Sequence, residues 1–278
     1  GAGLPKDHRP RSRNEFRDKM NTIFAIASVT IRELYRRKDF YVLFVLSAII
    51  VLVAGSGSFF NDLKLVRYLK ELCLLLIWIS ALVIAVTMAA RQIPAECEQR
   101  TIFPLLAKPV TRGGVVAGKF LGCWLATGMG LVLFYILLGV VSASREHAFP
   151  ILNYFQALWL QWMMLGVVIG MTIFGSMVFA APSSNSTIIL IAVLAILFLG
   201  GFLHQLALTM PEPLQTIVTV IYYVIPHLEL YDVRDLVVHG RGLMPWWVVA
   251  ADSLYAALYT LFFLVASKSL FQRKALNT

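Results

Sequence analysis

Charge is scarce in this chain. Only 14% of its 278 residues are Asp, Glu, Lys or Arg, and the acids are the scarcer half, 15 against 24 bases. A soluble domain carries about a quarter charged residues, so a free soluble enzyme is excluded on composition. Cysteine is scarce too. Cys73, Cys97 and Cys123 stand apart with no C-x-x-C spacing, which excludes a disulfide framework and a cysteine zinc site. What fills the chain is apolar, 59% of it. Six uncharged or nearly uncharged segments stand out, at about 40–60, 72–90, 120–142, 154–181, 186–210 and 246–267. Each is near or above the ~20 residues that a helical span requires. The runs are continuous and do not alternate, which excludes a barrel. The expected fold is an all-α membrane protein with six transmembrane helices.

The bases set the orientation, because Lys and Arg accumulate on the cytoplasmic side. Six spans put both termini on one side, and that side holds 18 of the 24 bases. Lys64, Arg67, Lys70, Arg145, Arg234 and Arg241 fall on the other. Both termini are therefore expected in the cytoplasm, in a bacterial inner membrane. The net charge of +9 follows from this bias and from attraction to anionic lipid, and it does not call for nucleic acid.

Residues 1–14 are expected to be disordered, with Gly1–Gly3 read as an expression remnant and Met20 as a candidate native start. The long basic stretch before any apolar run is not the pattern of a cleavable signal. In residues 15–39, Phe16, Met20, Ile23, Phe24, Ala27, Ile31, Leu34 and Tyr35 recur at three- and four-residue steps. That period predicts an amphipathic helix, lying in the interface with its basic face toward headgroups. Residues 40–278 are expected to form a six-span transmembrane domain, with a cytoplasmic loop at 91–119 and an outer loop at 211–245.

One stretch imitates a nucleotide site. "GGVVAGKF", Gly113 to Phe120, places Gly113, Gly118 and Lys119 as a P-loop would. A P-loop needs a Ser or Thr next, to hold magnesium, and Phe120 has no oxygen. About two dozen uncharged residues follow Lys119, where a P-loop needs a soluble sheet domain. No second ATPase motif accompanies it.

The loop 91–119 carries more. Glu96 and Glu98 follow Pro94 in what would be a first helical turn, where negative charge is favoured. Pro104 and Pro109 break any long helix, and Thr111 is placed to cap the next one. Lys119 is expected to snorkel to the interface from the base of that span. Ile102, Phe103, Leu105 and Leu106 put apolar surface on a cytoplasmic loop. The text "PAECEQRTIFPLLAKPVTRGGVVAGKFLG" resembles the cytoplasmic signature of ABC-transporter permeases of the type-2 export class. Glu96, Glu98, Arg100, Thr101, Ile102, Leu105, Leu106, Lys108, Pro109, Thr111, Arg112, Gly118 and Lys119 stand at the matching places. The outer "IPHLELYD" fits the same family, and the chain from about Met20 looks most like the multicopper-enzyme-maturation branch. The resemblance implies that this loop is a coupling helix docking on a separate ATPase subunit. The ATPase would be present in two copies and would carry ATP and magnesium. It also implies that a second permease copy or a homologue completes the pathway. On that reading this chain is not itself an enzyme and needs no cofactor.

Other groups allow two readings each. His227, Glu229, Asp232 and His239 are either a metal cluster or the wet face of an interfacial segment. Asp252 lies inside the last span, where a carboxylate is a functional candidate, or it pairs with Arg234 or Arg241. His204 and Gln205 line a vestibule or bond a neighbouring helix. Gly166, Gly170 and Gly175 allow close helix approach, within the chain or between subunits. The rival functions are a membrane-embedded enzyme built on the outer His/Glu/Asp group and an ion-coupled carrier built on Asp252.

Overall fold

The computed structural model describes residues 11–36, 41, 45, 48–49, 63–94, 111–146, 151–179, 181–209, 211–212, 214–239 and 242–274. The long elements are α1 (Arg11–Arg36), α2 (Leu63–Arg91), α3 (Arg112–Glu146), α4 (Ile151–Val178), α5 (Pro182–Thr209) and α8 (Trp246–Lys274). Between α5 and α8 lie α6 (Leu214–Val224), a 3-10 turn (Leu228–Tyr231) and α7 (Arg234–His239). The described residues contain no strand.

Among the described residues four helices are long and apolar enough to cross a membrane: Lys70–Arg91, Arg112–Val140, Ile151–Val178 and Trp246–Arg273. Pro182–Phe198 is a shorter apolar helix within α5. The expected span at 40–60 lies outside the described residues, save for isolated positions. α3 and α8 extend past their apolar runs, because Arg112 and Lys274 belong to helical turns that cap those runs. α1 starts at Arg11, ahead of the expected residue 15.

α4 is the hub. It packs against α2, α3, α5 and α8, and also meets the 3-10 turn and α7. Its Leu160, Met164, Leu165, Val168, Ile169 and Ile173 are fully buried, as expected of a helix that is apolar all round. Lipid tails are as apolar as leucine, so burial in a bilayer gives little drive for helices to associate. Close packing and polar clasps must supply it, and α4 carries both. Trp124 of α3 and Trp162 of α4 stack with centroids 4.4 Å apart. Gly128, four residues after Trp124, leaves the notch that Trp162 fills; a Cβ there would strike the indole nitrogen. Gly166 lies under Trp124, Gly170 under Phe263 and Gly175 under Asn185. The small residues of α4 thus admit other helices of the same chain.

The turn from α4 to α5 follows from its sequence. Phe179 N–H still donates to the Gly175 carbonyl at 2.8 Å. Pro182 then takes the first helical position, where its missing N–H costs nothing. Asn185 is fully buried and donates from Nδ2 to the Thr172 carbonyl at 3.0 Å, which ties the hairpin shut.

The bundle has two chemically distinct ends. One carries Arg91, Arg112 and Arg273, the other the loop from α5 to α8. At the loop end, Gln156 of α4 acts as a backbone surrogate. Its Nε2 donates to the Met244 carbonyl at 2.9 Å, and its Oε1 accepts from Met244 N–H at 3.0 Å. Asn153 donates to the Gly242 carbonyl at 3.1 Å. Gly242 has φ +92°, a value that favours glycine. These bonds fix where α8 begins.

Candidate functional site

The basic end holds the only part of the 91–119 segment that is described: residues 91–94 and 111–119. α3 opens at Thr111. Its Oγ1 accepts from Gly114 N–H at 3.2 Å, the N-cap bond expected of a threonine there. Gly113, Gly118 and Lys119 all lie in this helix. They form no phosphate loop, since a P-loop needs those N–H groups free in a turn, whereas helical N–H groups are engaged.

Lys119 differs from expectation. It does not snorkel but is buried, 3% exposed, and its Nζ donates to Gln92 Oε1 at 3.2 Å. Gln92 is equally buried, just past the end of α2. The physical reason is the Gln92 amide, which gives the ammonium a partner inside the bundle. α1 packs along α3 beside it, with Ile26 against Gly118 and Thr30 against Gly122, where a Cβ would lie 2.6 Å from Thr30 Cβ. Gln92 Nε2 and Thr30 Oγ1 are buried donors without a hydrogen-bond partner.

Arg112 is held against α8. Its Nη1 donates to the carbonyls of Gln272 at 3.1 Å and Phe271 at 3.4 Å. The guanidinium lies 5.9 Å from the centroid of the Phe271 ring. The last carbonyls of a helix lack intrahelical partners, and a cation beside them is favoured by the helix dipole. The side chain of Lys268, one turn back along α8, covers Gly113. The first turn of α3 and the last turns of α8 are thus one joint. Glu96, Glu98, Arg100, Thr101, Ile102, Leu105, Leu106, Lys108 and Pro109 lie outside the described residues.

At the loop end, Asp232 is paired with Arg234. Its carboxylate takes Arg234 Nε at 2.7 Å and Nη2 at 2.5 Å. These bonds hold the Arg234 pKa above its ordinary value. The guanidinium also lies over the Trp78 ring at 5.4 Å. His227 Nδ1 meets the Tyr255 hydroxyl at 3.0 Å, and its ring packs edge-on to Tyr222. Glu229 is half-buried in the 3-10 turn, and its carbonyl accepts from Asp232 N–H. The side chain of His239 lies outside the described set. No group of three His, Cys, Asp or Glu able to hold a metal occurs among the described residues.

Asp252 is one turn and a half inside α8 and partly exposed. Arg234, its expected partner, is paired with Asp232 instead; Arg241 lies outside the described residues. The Asp252 backbone carbonyl accepts from the Tyr231 hydroxyl at 2.8 Å, and burial raises the pKa of that hydroxyl. His204 and Gln205 lie in α5, in the part whose side chains are outside the described set.

Sequence reasoning missed the tyrosine layer near the loop end. Tyr135 donates to Gln161 Oε1 at 2.9 Å, and Tyr154 to Ser142 at 3.1 Å. Lys70 lies buried over the Tyr154 ring at 5.3 Å. Polar residues inside uncharged runs were the available signal.

Apolar spanning helices, a polar joint at one end and a capped loop at the other define an integral membrane protein. Residues 24–276 match the family described as ABC-2 family transporter protein. The chain belongs to that family and is a transmembrane permease of an ABC transporter, a class of membrane subunit that works with a partner ATPase. No curated protein matches the chain.

Proposed function

We propose that the chain is the permease of an ABC exporter of the bacterial inner membrane, with both termini cytoplasmic. Two copies, or one with a homologue, enclose the pathway, and the nearest branch is that of the multicopper-enzyme-maturation permeases. Loop 91–119 docks on an ATPase subunit, one beneath each permease, where ATP and magnesium are bound. Glu96, Glu98 and Arg100 give the charged rim, and Ile102, Leu105 and Leu106 the apolar centre. An interface with that division is the usual one. Thr101, Lys108 and Pro109 belong to the same surface; Arg112, which the resemblance sets beside them, bonds the end of α8 and serves as the downstream anchor of the segment.

The observation that carries this reading is how the segment is rooted. Its upstream root, Gln92 to Pro94, stays buried at the end of α2, α3 begins after Thr111, and the bond from Lys119 to Gln92 ties the two roots together at 3.2 Å. A segment so rooted passes a push from outside to α2 and α3 together. A two-state bundle can then be biased by a ligand bound on another chain. The test is co-purification in detergent. Glu96→Lys with Glu98→Lys should release the ATPase, because the reversed charges meet a complementary basic surface. An ATPase retained in full by the double variant overturns the docking assignment.

A further inference from the structure

The joint between Arg112 and α8 points past docking. Resting on the reading just given, we infer that Arg112 is the positioning residue through which the coupling segment moves α8, the last spanning helix.

Three observations converge on it. Arg112 is the first residue of α3 and follows directly on its N-cap, Thr111, where the coupling segment rejoins the described chain. Its guanidinium bonds two successive carbonyls at the far end of α8, from Phe271 and Gln272, over 159 and 160 residues of chain. The joint is also braced, since the Lys268 chain closes on Gly113 with a would-be Cβ contact of 3.1 Å. Its surroundings make it a lever. α8 is the least buried of the four candidate spans, with 11% of its core window inside the bundle against 72% for α4. Its chief packing partner is α4, and its contact with α3 is slighter. A displacement of the α3 root therefore reaches α8 at the end that Arg112 holds. At the other end α8 is held by Tyr231 bonding the Asp252 carbonyl and by Tyr255 bonding His227. Pulling one end of a helix pinned at the other tilts it.

The experiment needs no knowledge of the cargo. A spin label is placed at Ser269, an exposed position on α8, in a Cys97→Ser background. Cys73 and Cys123 are buried. The labelled permease is reconstituted with its ATPase, and label mobility is recorded with and without ATP and vanadate. The unsubstituted complex should show a nucleotide-dependent change. Arg112→Ala should abolish that change while the ATPase still co-purifies and the melting temperature in detergent stays within a few degrees. Arg112→Lys keeps the charge but loses the guanidinium plane beside Phe271 and its fixed N–H directions, so the change should be reduced and not lost. A change of full size in Arg112→Ala overturns the inference. So does loss of the ATPase from that variant, which makes Arg112 a docking residue. If Arg112→Ala does not fold, a full-sized change in Arg112→Lys overturns it and a reduced one supports it. Failure of the unsubstituted permease to retain the ATPase is a different result, and it defeats the docking reading on which the inference rests.

Discussion

Trp124 and Trp162 hold each other by symmetric bonds: each indole N–H donates to the other residue's backbone carbonyl at 3.0 Å. The rings lie 15° from parallel, and each tryptophan has a glycine four residues on, Gly128 and Gly166, facing its partner's ring. This W-x-x-x-G pair locks α3 to the hub helix midway between the two ends.

Gly128→Ala should therefore cost more than the ~1 kcal/mol that alanine usually gains over glycine in a helix. Overpacking typically costs about 1–3 kcal/mol, and here the obstacle is an indole ring. The expected outcome is a lower melting temperature in detergent. The double variant Trp124→Phe with Trp162→Phe should cost less than the sum of the single changes, since either one already breaks the stack and one bond. Strict additivity in that cycle would show that the two rings do not interact energetically.

The bond from Lys119 to Gln92 settles how a glycine-lysine pattern should behave here. The purified permease should neither bind nor hydrolyse ATP, and Lys119→Ala should leave the nucleotide affinity of the whole complex unchanged. The same variant should lower stability by about 1–3 kcal/mol, the usual cost of leaving a buried polar group unpaired. Equilibrium binding and thermal melting read the two effects separately. Stoichiometric nucleotide binding to the isolated chain, abolished by the substitution, would restore the P-loop reading.

Much of this was legible because continuous apolar runs are a strong signal. Residues 72–90, 154–181 and 246–267 map onto α2, α4 and α8, whereas Pro182 to Ser186, polar enough to read as a connector, form the first turns of α5. Thr111 caps α3 because its hydroxyl sits three residues before a free N–H, a purely local fact. Two of the misses depend on distant partners. Lys119 finds Gln92 across 27 residues of chain, and Arg112 reaches a helix end some 160 residues away; neither pairing follows from spacing along the chain. The third is local: Asp232 lies two residues from Arg234 and pairs with it.

Orientation can be tested at two exposed sites. Ser184 opens α5 at the basic end, and Glu212 lies just after α5 at the loop end. A cysteine at Ser184 should be shielded from a membrane-impermeant label added to intact cells, and one at Glu212 should react. The opposite pattern would overturn the assignment of the basic end to the cytoplasm.

Close approach of α1 to α3 gives a further expectation. Thr30 is fully buried against Gly122, and a Cβ at Gly122 would also meet the Ala27 carbonyl at 3.0 Å. That obstacle is backbone and cannot rotate away. Gly122→Leu should push α1 off α3 and uncover Lys119, so that Lys119 becomes reactive toward an amine reagent that leaves it untouched in the unsubstituted protein. Protection of Lys119 in both proteins would show that α1 does not supply its cover.

The docking segment predicts an order of effects. Glu96, Glu98 and Arg100 are rim charges in the proposed interface, and Leu105 and Leu106 are its anchors. Rim truncations usually change association modestly, while a buried apolar anchor costs about 2 kcal/mol or more. Leu105→Ala or Leu106→Ala should therefore loosen the ATPase more than Glu98→Ala does, by roughly tenfold or more in dissociation constant. Raising salt should weaken the rim contribution, since exposed charges are screened within about 8 Å at physiological ionic strength, and leave the leucine effect in place. Insertion and folding should be unaffected, because in the proposed reading these residues belong to a cytoplasmic loop between two spans. Titration of the ATPase onto immobilised permease at two salt concentrations measures both effects. A larger loss from Glu98→Ala than from either leucine, persisting at high salt, would invert the assignment of rim and centre.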